Sequence, residues 1–273
     1  MQLDKQYKVL DTLHDYLVVK GVPIPEAYKR RDPREPGRTE KERLEDKLMA
    51  AFGVYFGEQA KEIRKQIRKA IDAGETDPDK IMASIELPQP KKKISGLFLQ
   101  ALLLGLALFI ADQEGGPEID WTETNNDLVG YSIEYVQEML GYIDETTYKA
   151  ARKAIERFTD LAHEEGGITI KDVMDLLPFT EDRAQMIAID FVTDAAASAQ
   201  QKAGEDLKAR FPDAEVTKTW HTNRDERVCF ICGPLDGDTV LIDRAFFNRE
   251  AKLAIFKPKA HNRGRCWISV SVR

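Results

Sequence analysis

The chain has three cysteines, Cys229, Cys232 and Cys266, all close to its C-terminal end. Two residues separate Cys229 from Cys232, a spacing that lets one chain turn present both sulfurs to a single ion. Further on, His261 stands four intervening residues before Cys266. A second ligand pair from a distant loop completes a tetrahedron, so Cys229, Cys232, His261 and Cys266 form a Cys3His set suited to one zinc per chain. An odd cysteine count with one close pair fits a metal site in a reducing compartment better than a disulfide framework. The alternative reading takes the thiols as small, half-buried residues. Size favours the metal: a module of about 60 residues with few large apolar side chains gains stability from a structural ion.

Around this set stand residues with supporting chemistry. Trp220 has the apolar area to anchor a small core. Arg265, between two of the candidate ligands, is placed to orient a backbone carbonyl or a carboxylate near Asp225. Asp236-Gly237-Asp238 reads as a tight turn, with Gly237 supplying positive φ. Two basic clusters invite DNA or an acidic partner: Lys61, Arg64, Lys65 and Arg68 on one helix face, and Lys257, Lys259 and Arg263 beside the cysteines. The plainer account of both is a solvated face.

Two other chemistries use the same residues. His261-Asn262 suggests a metal-dependent nuclease of the His-Asn-His type, in which a histidine base activates water. That site needs another histidine, and His221 is the only other one nearby; Asp225, Glu226, Asp236 and Asp238 could substitute, but they fit turns equally well. A zinc-ribbon module binding DNA without sequence preference is the second alternative, and its affinity would fall steeply with salt.

The elements that must position these residues are mainly helical. At 42% hydrophobic and 32% charged, the 273-residue chain has the composition of a helix-rich globular protein. Its net charge of −7 argues against a surface that grips nucleic acid all over. No secretory signal pattern opens the sequence. Residues 1–20 have helical apolar spacing, and 21–38, rich in proline, glycine and arginine, read as an extended linker. Thr39 with Glu42 predicts a capping box for a helix reaching Ala73, with Leu44, Leu48, Phe52, Tyr55, Phe56, Ile63, Ile67 and Ile71 as its apolar stripe. A second connector covers 74–93.

The run Ile94 to Ala111 is apolar but short and interrupted for a membrane span, so a buried core helix is expected and integral membrane insertion is not. Helical spacing resumes near Asn126, with Val129, Ile133, Val136, Met139 and Leu140 on one face. Thr180 caps an alanine-rich helix at about 181–209, which Pro212 closes. Beyond residue 214, short β-type runs at Thr239–Ile242 and Trp267–Val272 replace the helical period. The fold class is α+β: a mainly helical body with a small C-terminal zinc-stapled β module.

The C-terminal motifs resemble the Mu gpF-like (SPP1 gp7-like) phage head-morphogenesis family. That family's signature is a tryptophan, then D-x-R-V-C-x-x-C, then L-D-G, and finally a histidine shortly before C-R-C. Trp220, Asp225, Arg227, Val228, Cys229, Cys232, Leu235, Asp236, Gly237, His261, Arg265 and Cys266 match it in order. Arg183-Ala184 and Ile187-Ala188 match its lead-in helix, while Gly264 stands where the first cysteine of C-R-C belongs. The resemblance covers residues 166–273, with the β module at about 215–273, and leaves 1–165 as a helical N-terminal region. It implies a minor capsid or head-morphogenesis protein without catalytic residues, located in the virion at the portal vertex or capsid interior. Portal protein, major capsid or scaffold protein, and phage DNA bound non-specifically are the partners it implies.

Overall fold

The computed structural model describes residues 31–273 except 76, 89–91, 114–119, 162–173, 176, 178, 225–227 and 259–263. The helices are α1 (Arg38–Asp72), α2 (Pro78–Ala83), α3 (Lys92–Asp112), α4 (Thr122–Leu161) and α5 (Glu181–Arg210). Strands β1 (Val216–His221), β2 (Thr239–Leu241), β3 (Phe246–Asn248), β4 (Leu253–Ile255) and β5 (Trp267–Val272) follow. The mainly helical chain with a small C-terminal antiparallel sheet is α+β, as its patterning predicts.

Most of the expected helices form for the expected reasons. In α1, Leu44, Leu48, Phe52, Tyr55, Phe56, Ile63 and Ile67 are buried as one stripe; the side chain of Ile71 lies outside the described residues. Thr180 caps α5, its hydroxyl accepting from the Arg183 N–H at 3.1 Å. The start of α1 differs from the predicted capping box. Gly37, at φ +65°, precedes the helix, and Thr39 already lies inside its first turn. Glu42 instead accepts from the Arg31 N–H and from Arg38 Nε.

The face of α4 also departs from expectation. Val136 and Leu140 are buried, but Val129 and Ile133 are exposed, and Leu128 and Ile143 take their place in the core. A helix this long offers two plausible stripes about one residue apart, and packing against α3 selects between them. The predicted helices at 1–20 and 170–177 fall wholly and mostly outside the described residues.

The centre of the molecule is α5, which packs against α1, α3, α4, β1 and β5. It is buried along much of its length, and its alanines have a spatial reason. Where α3 crosses α5, a Cβ on Gly105 would lie 2.8 Å from both the Cα and the carbonyl oxygen of Ala196, and 3.0 Å from Ala199 Cβ. Only small residues permit such an approach. Among the described residues, α3 is the one helix long and apolar enough to cross a membrane. Here Ile94, Leu97, Phe98, Ala101, Leu102, Gly105, Leu106 and Phe109 are buried, so integral membrane insertion is not indicated.

The main sheet has the order β2-β1-β5, antiparallel throughout, with Trp220 opposite Ile268 and His221 opposite Trp267. Alternation along β1 turns Val216, Lys218 and Trp220 inward. Gly204 of α5 leaves room for Ile242 and Val270. A second hairpin, β3–β4, pairs Phe246 with Ile255. One apolar cluster runs from Leu44 and Phe98 through Phe191 to Trp220, Leu235 and Cys266. The β module is therefore a lobe of a shared core, and its stability comes in part from the helical body.

Residues 31–37, within the stretch read as a linker, form a docked strap. Arg31, Asp32 and Glu35 are buried there. Arg31 bonds Glu35 at 2.8 Å, Glu45 at 2.6 Å and the Thr193 hydroxyl of α5 at 2.9 Å. Lys41 adds a 2.7 Å bond to Glu35, and Arg34 reaches the carbonyl of Thr222 beyond β1. Composition alone suggests a linker; charge pairing over long sequence distances makes it structure. The connector at 74–93 likewise holds α2, whose Ile81 packs with Ile63, Ile67 and Ile155.

Candidate metal centre

The Cys229-x-x-Cys232 segment leads into a short turn at Gly233–Leu235, where Leu235 enters the core. The Cys232 N–H lies 3.3 Å from Cys229 Sγ and 3.1 Å from the Cys229 carbonyl, while the Gly233 N–H donates to that carbonyl at 2.8 Å. An N–H directed at the first sulfur stabilises a thiolate there. This is the local geometry that a two-cysteine knuckle needs.

Two contacts hold the turn from outside. Asn248, buried at the end of β3, donates from Nδ2 to the carbonyls of Phe230 (3.2 Å) and Ile231 (2.8 Å), the two residues between the cysteines. Its Oδ1 accepts from the Ala251 N–H at 2.9 Å, so the amide is engaged on both sides. On the other flank, Asp236 accepts from the Thr222 N–H at 2.7 Å and from Arg224 Nε at 2.8 Å. Burial works to raise the pKa of Asp236, but those hydrogen bonds outweigh it and hold the carboxyl below its usual range.

Cys232 and Cys266 are buried and Cys229 is half-buried; all three are free thiols. Cys232 lies between the other two. Hydrogen-bonding contacts with Cys229 and Cys266, together with burial, push its thiol far above the usual range. Among the described residues, no group of three His, Cys, Asp or Glu side chains closes around one ion position. His261, the fourth member of the predicted set, lies outside the described residues. In donor chemistry, the three thiols fit a zinc site.

The remaining predicted residues divide. Trp220 is fully buried and meets Phe246 edge-on at 5.3 Å, as expected of a core anchor. Gly237 adopts φ +87°, and its N–H and the Asp238 carbonyl bond the backbone of Trp220. Arg265 is buried, and it pairs with Asn223: the amide nitrogen donates to the Arg265 carbonyl and the amide oxygen accepts from Nη1, each at 3.1 Å. Asp225, Lys259, His261 and Arg263 lie outside the described residues.

Lys257, one of the expected basic contacts, is tied to the helical body. Its ammonium pairs with the buried carboxylate of Asp194 and bonds the Ser198 hydroxyl at 2.8 Å, so it fastens the chain to α5. By contrast, Lys61, Arg64, Lys65 and Arg68 are exposed on α1, with Lys65 3.4 Å from Glu62. His221 stacks on Trp267 at 3.9 Å and its Nε2 bonds Ser269 Oγ at 2.8 Å, and burial lowers its pKa. It is committed to the sheet.

Sequence reasoning missed Asn248, Asn223, Asp194 and Lys218. Lys218 is buried on β1, where its ammonium bonds Gln201 Oε1 at 2.9 Å and the Phe256 carbonyl at 2.8 Å. Only Asn248 left a local signal, as an asparagine opening a turn. Comparison with protein-family models, with characterised proteins and with solved structures finds no match for this chain.

Proposed function

We propose that this chain is a structural minor head protein of a tailed phage, of the Mu gpF-like kind, whose C-terminal lobe binds one zinc through Cys229, Cys232, Cys266 and His261. The observation that supports this best is the gathering of the signature. Trp220, Cys229, Cys232, Leu235 and Asp236 lie close together in sequence, and the fold brings the distant Cys266 against Cys232 at the same knuckle. In this reading the ion is structural: it joins the knuckle to the segment before β5 and carries no reaction. The chain acts by binding portal, capsid or scaffold protein in the assembling head, and packaged DNA at most non-specifically. His221 is already engaged by Trp267 and Ser269, which disfavours the nuclease alternative.

Metal analysis of the full chain purified without chelator is expected to give one zinc per chain, lost in Cys266→Ser. A metal-free wild type would sink the zinc assignment while leaving the head assignment standing. The head assignment has its own test: the chain should sediment with portal-containing heads in cells that express the neighbouring structural proteins. Its absence from such particles would refute it.

A further inference from the structure

The outer face of α3 lies opposite its core-facing residues and carries Gly96, Leu99, Leu103, Ala107 and Ile110. At 100° per residue these positions fall on one narrow stripe, spaced 3, 4, 4 and 3 residues apart. Leu103 and Ile110 are each 38% exposed, Ala107 is exposed, and Gly96 and Leu99 are partly so. No charged residue occurs from Ile94 to Ala111. The stripe carries no charge, exposed Gln100 stands at its margin, and a surface of this kind is suited to association.

We propose that this stripe pairs with the same stripe of a second copy, antiparallel about a two-fold axis at Leu103. The sequence is self-complementary in that register and in no parallel one. Gly96 meets Ile110, Leu99 meets Ala107, and Leu103 meets itself, so a large residue faces a small one on either side of the centre. Charge fixes the direction. Lys92 and Lys93 stand at the start of the helix and Asp112 at its end. Lys92, Lys93 and Asp112 are exposed, and among the described residues they form no ion pair. An antiparallel pair sets the basic end of one copy against the acidic end of the other and opposes the two helix dipoles favourably; a parallel pair places like charges together. A contact in which the same patch serves both copies closes as a dimer. This inference stands apart from the head-protein reading and needs neither zinc nor a phage partner.

The test is the mass of the full chain by light scattering across a dilution series. Wild type is expected at twice 31.0 kDa, and Leu103→Glu, which sets two carboxylates face to face, at the monomer mass with an unchanged circular dichroism spectrum. Leu103→Cys should cross-link to itself under mild oxidation, because the residue sits on the axis. Ala107→Cys should not, since its mate is Leu99. A wild type that stays monomeric overturns the proposal, whether it remains free or floats with phosphatidylcholine–phosphatidylglycerol vesicles. So does a dimer that survives Leu103→Glu, or equal cross-linking at both cysteine positions.

Discussion

Two seams meet on α5, and both depend on a glycine, yet they tolerate error differently. At the α3–α5 crossing, a Cβ on Gly105 would meet backbone, the Cα and carbonyl of Ala196 at 2.8 Å. At the seam with the sheet, a Cβ on Gly204 would meet the end of Ile242, with Cδ1 at 2.8 Å, and Val270 Cγ1 at 3.1 Å. Backbone in a packed helix cannot withdraw, whereas the end of an isoleucine can turn. The helical body is thus locked by close main-chain approach. The C-terminal lobe rests on adaptable side chains and depends on polar ties for its alignment: Arg34 to Thr222, Gln201 to Lys218, and Asp194 to Lys257.

The sharpest way to break this picture is to ask whether the lobe unfolds alone. Trp220 is fully buried in the cluster that also holds Phe98 and Phe191. Trp220→Ala should cost about 3–5 kcal/mol, the usual range for removing a large buried aromatic. In urea unfolding followed by helix signal, the single transition of the whole chain should move by that amount. If the helix signal stays in place while the lobe melts early, the shared core is wrong and the lobe is a separate unit.

The two glycines give a paired and smaller test. Gly105→Ala is expected to destabilise by about 1–3 kcal/mol, as overpacking against an unyielding neighbour does. Gly204→Ala should cost less, because Ile242 can change rotamer and the alanine gains helix propensity of about 1 kcal/mol over glycine. Thermal melts of both variants measure the difference. Equal losses would mean that the sheet is held as rigidly as the helix crossing.

The same contrast explains what could be read from sequence. Apolar stripes at helical period identified the buried face of α1, and Thr180 marked the start of α5, because both depend on residues a few positions apart. Two near-equivalent stripes on α4 could not be separated without knowing where α3 lies. The strap at 31–37 was hidden for another reason: Arg31 is satisfied by Glu45 and Thr193, the latter 162 positions away. The candidate site was half legible. Its candidate thiols are visible in the spacing of Cys229 and Cys232. Asn248, which fixes the two carbonyls between them, became visible only once β3 was folded against the knuckle.

The smallest expected effect concerns pH and the seam under the sheet. Burial lowers the pKa of Lys218 from its ordinary value to about 8, although Glu205 and Asp243 pull it upward. Unfolding restores the ordinary pKa of 10.5. Between these values the unfolded chain binds a proton that the folded chain has lost, so stability rises with pH across that window. Below it, both states carry the charge and folding bears the full cost of burying it. From pH 8 to 8.5 the linkage caps this group's contribution at about 0.7 kcal/mol. Unfolding free energies of wild type and Lys218→Met at the two pH values isolate it, because other titrating groups cancel in the difference. The wild type should gain stability relative to the variant as pH rises. A constant difference would mean that Gln201 and the Phe256 carbonyl keep the ammonium charged in the fold, making the polar ties stronger than the comparison of the two seams allows.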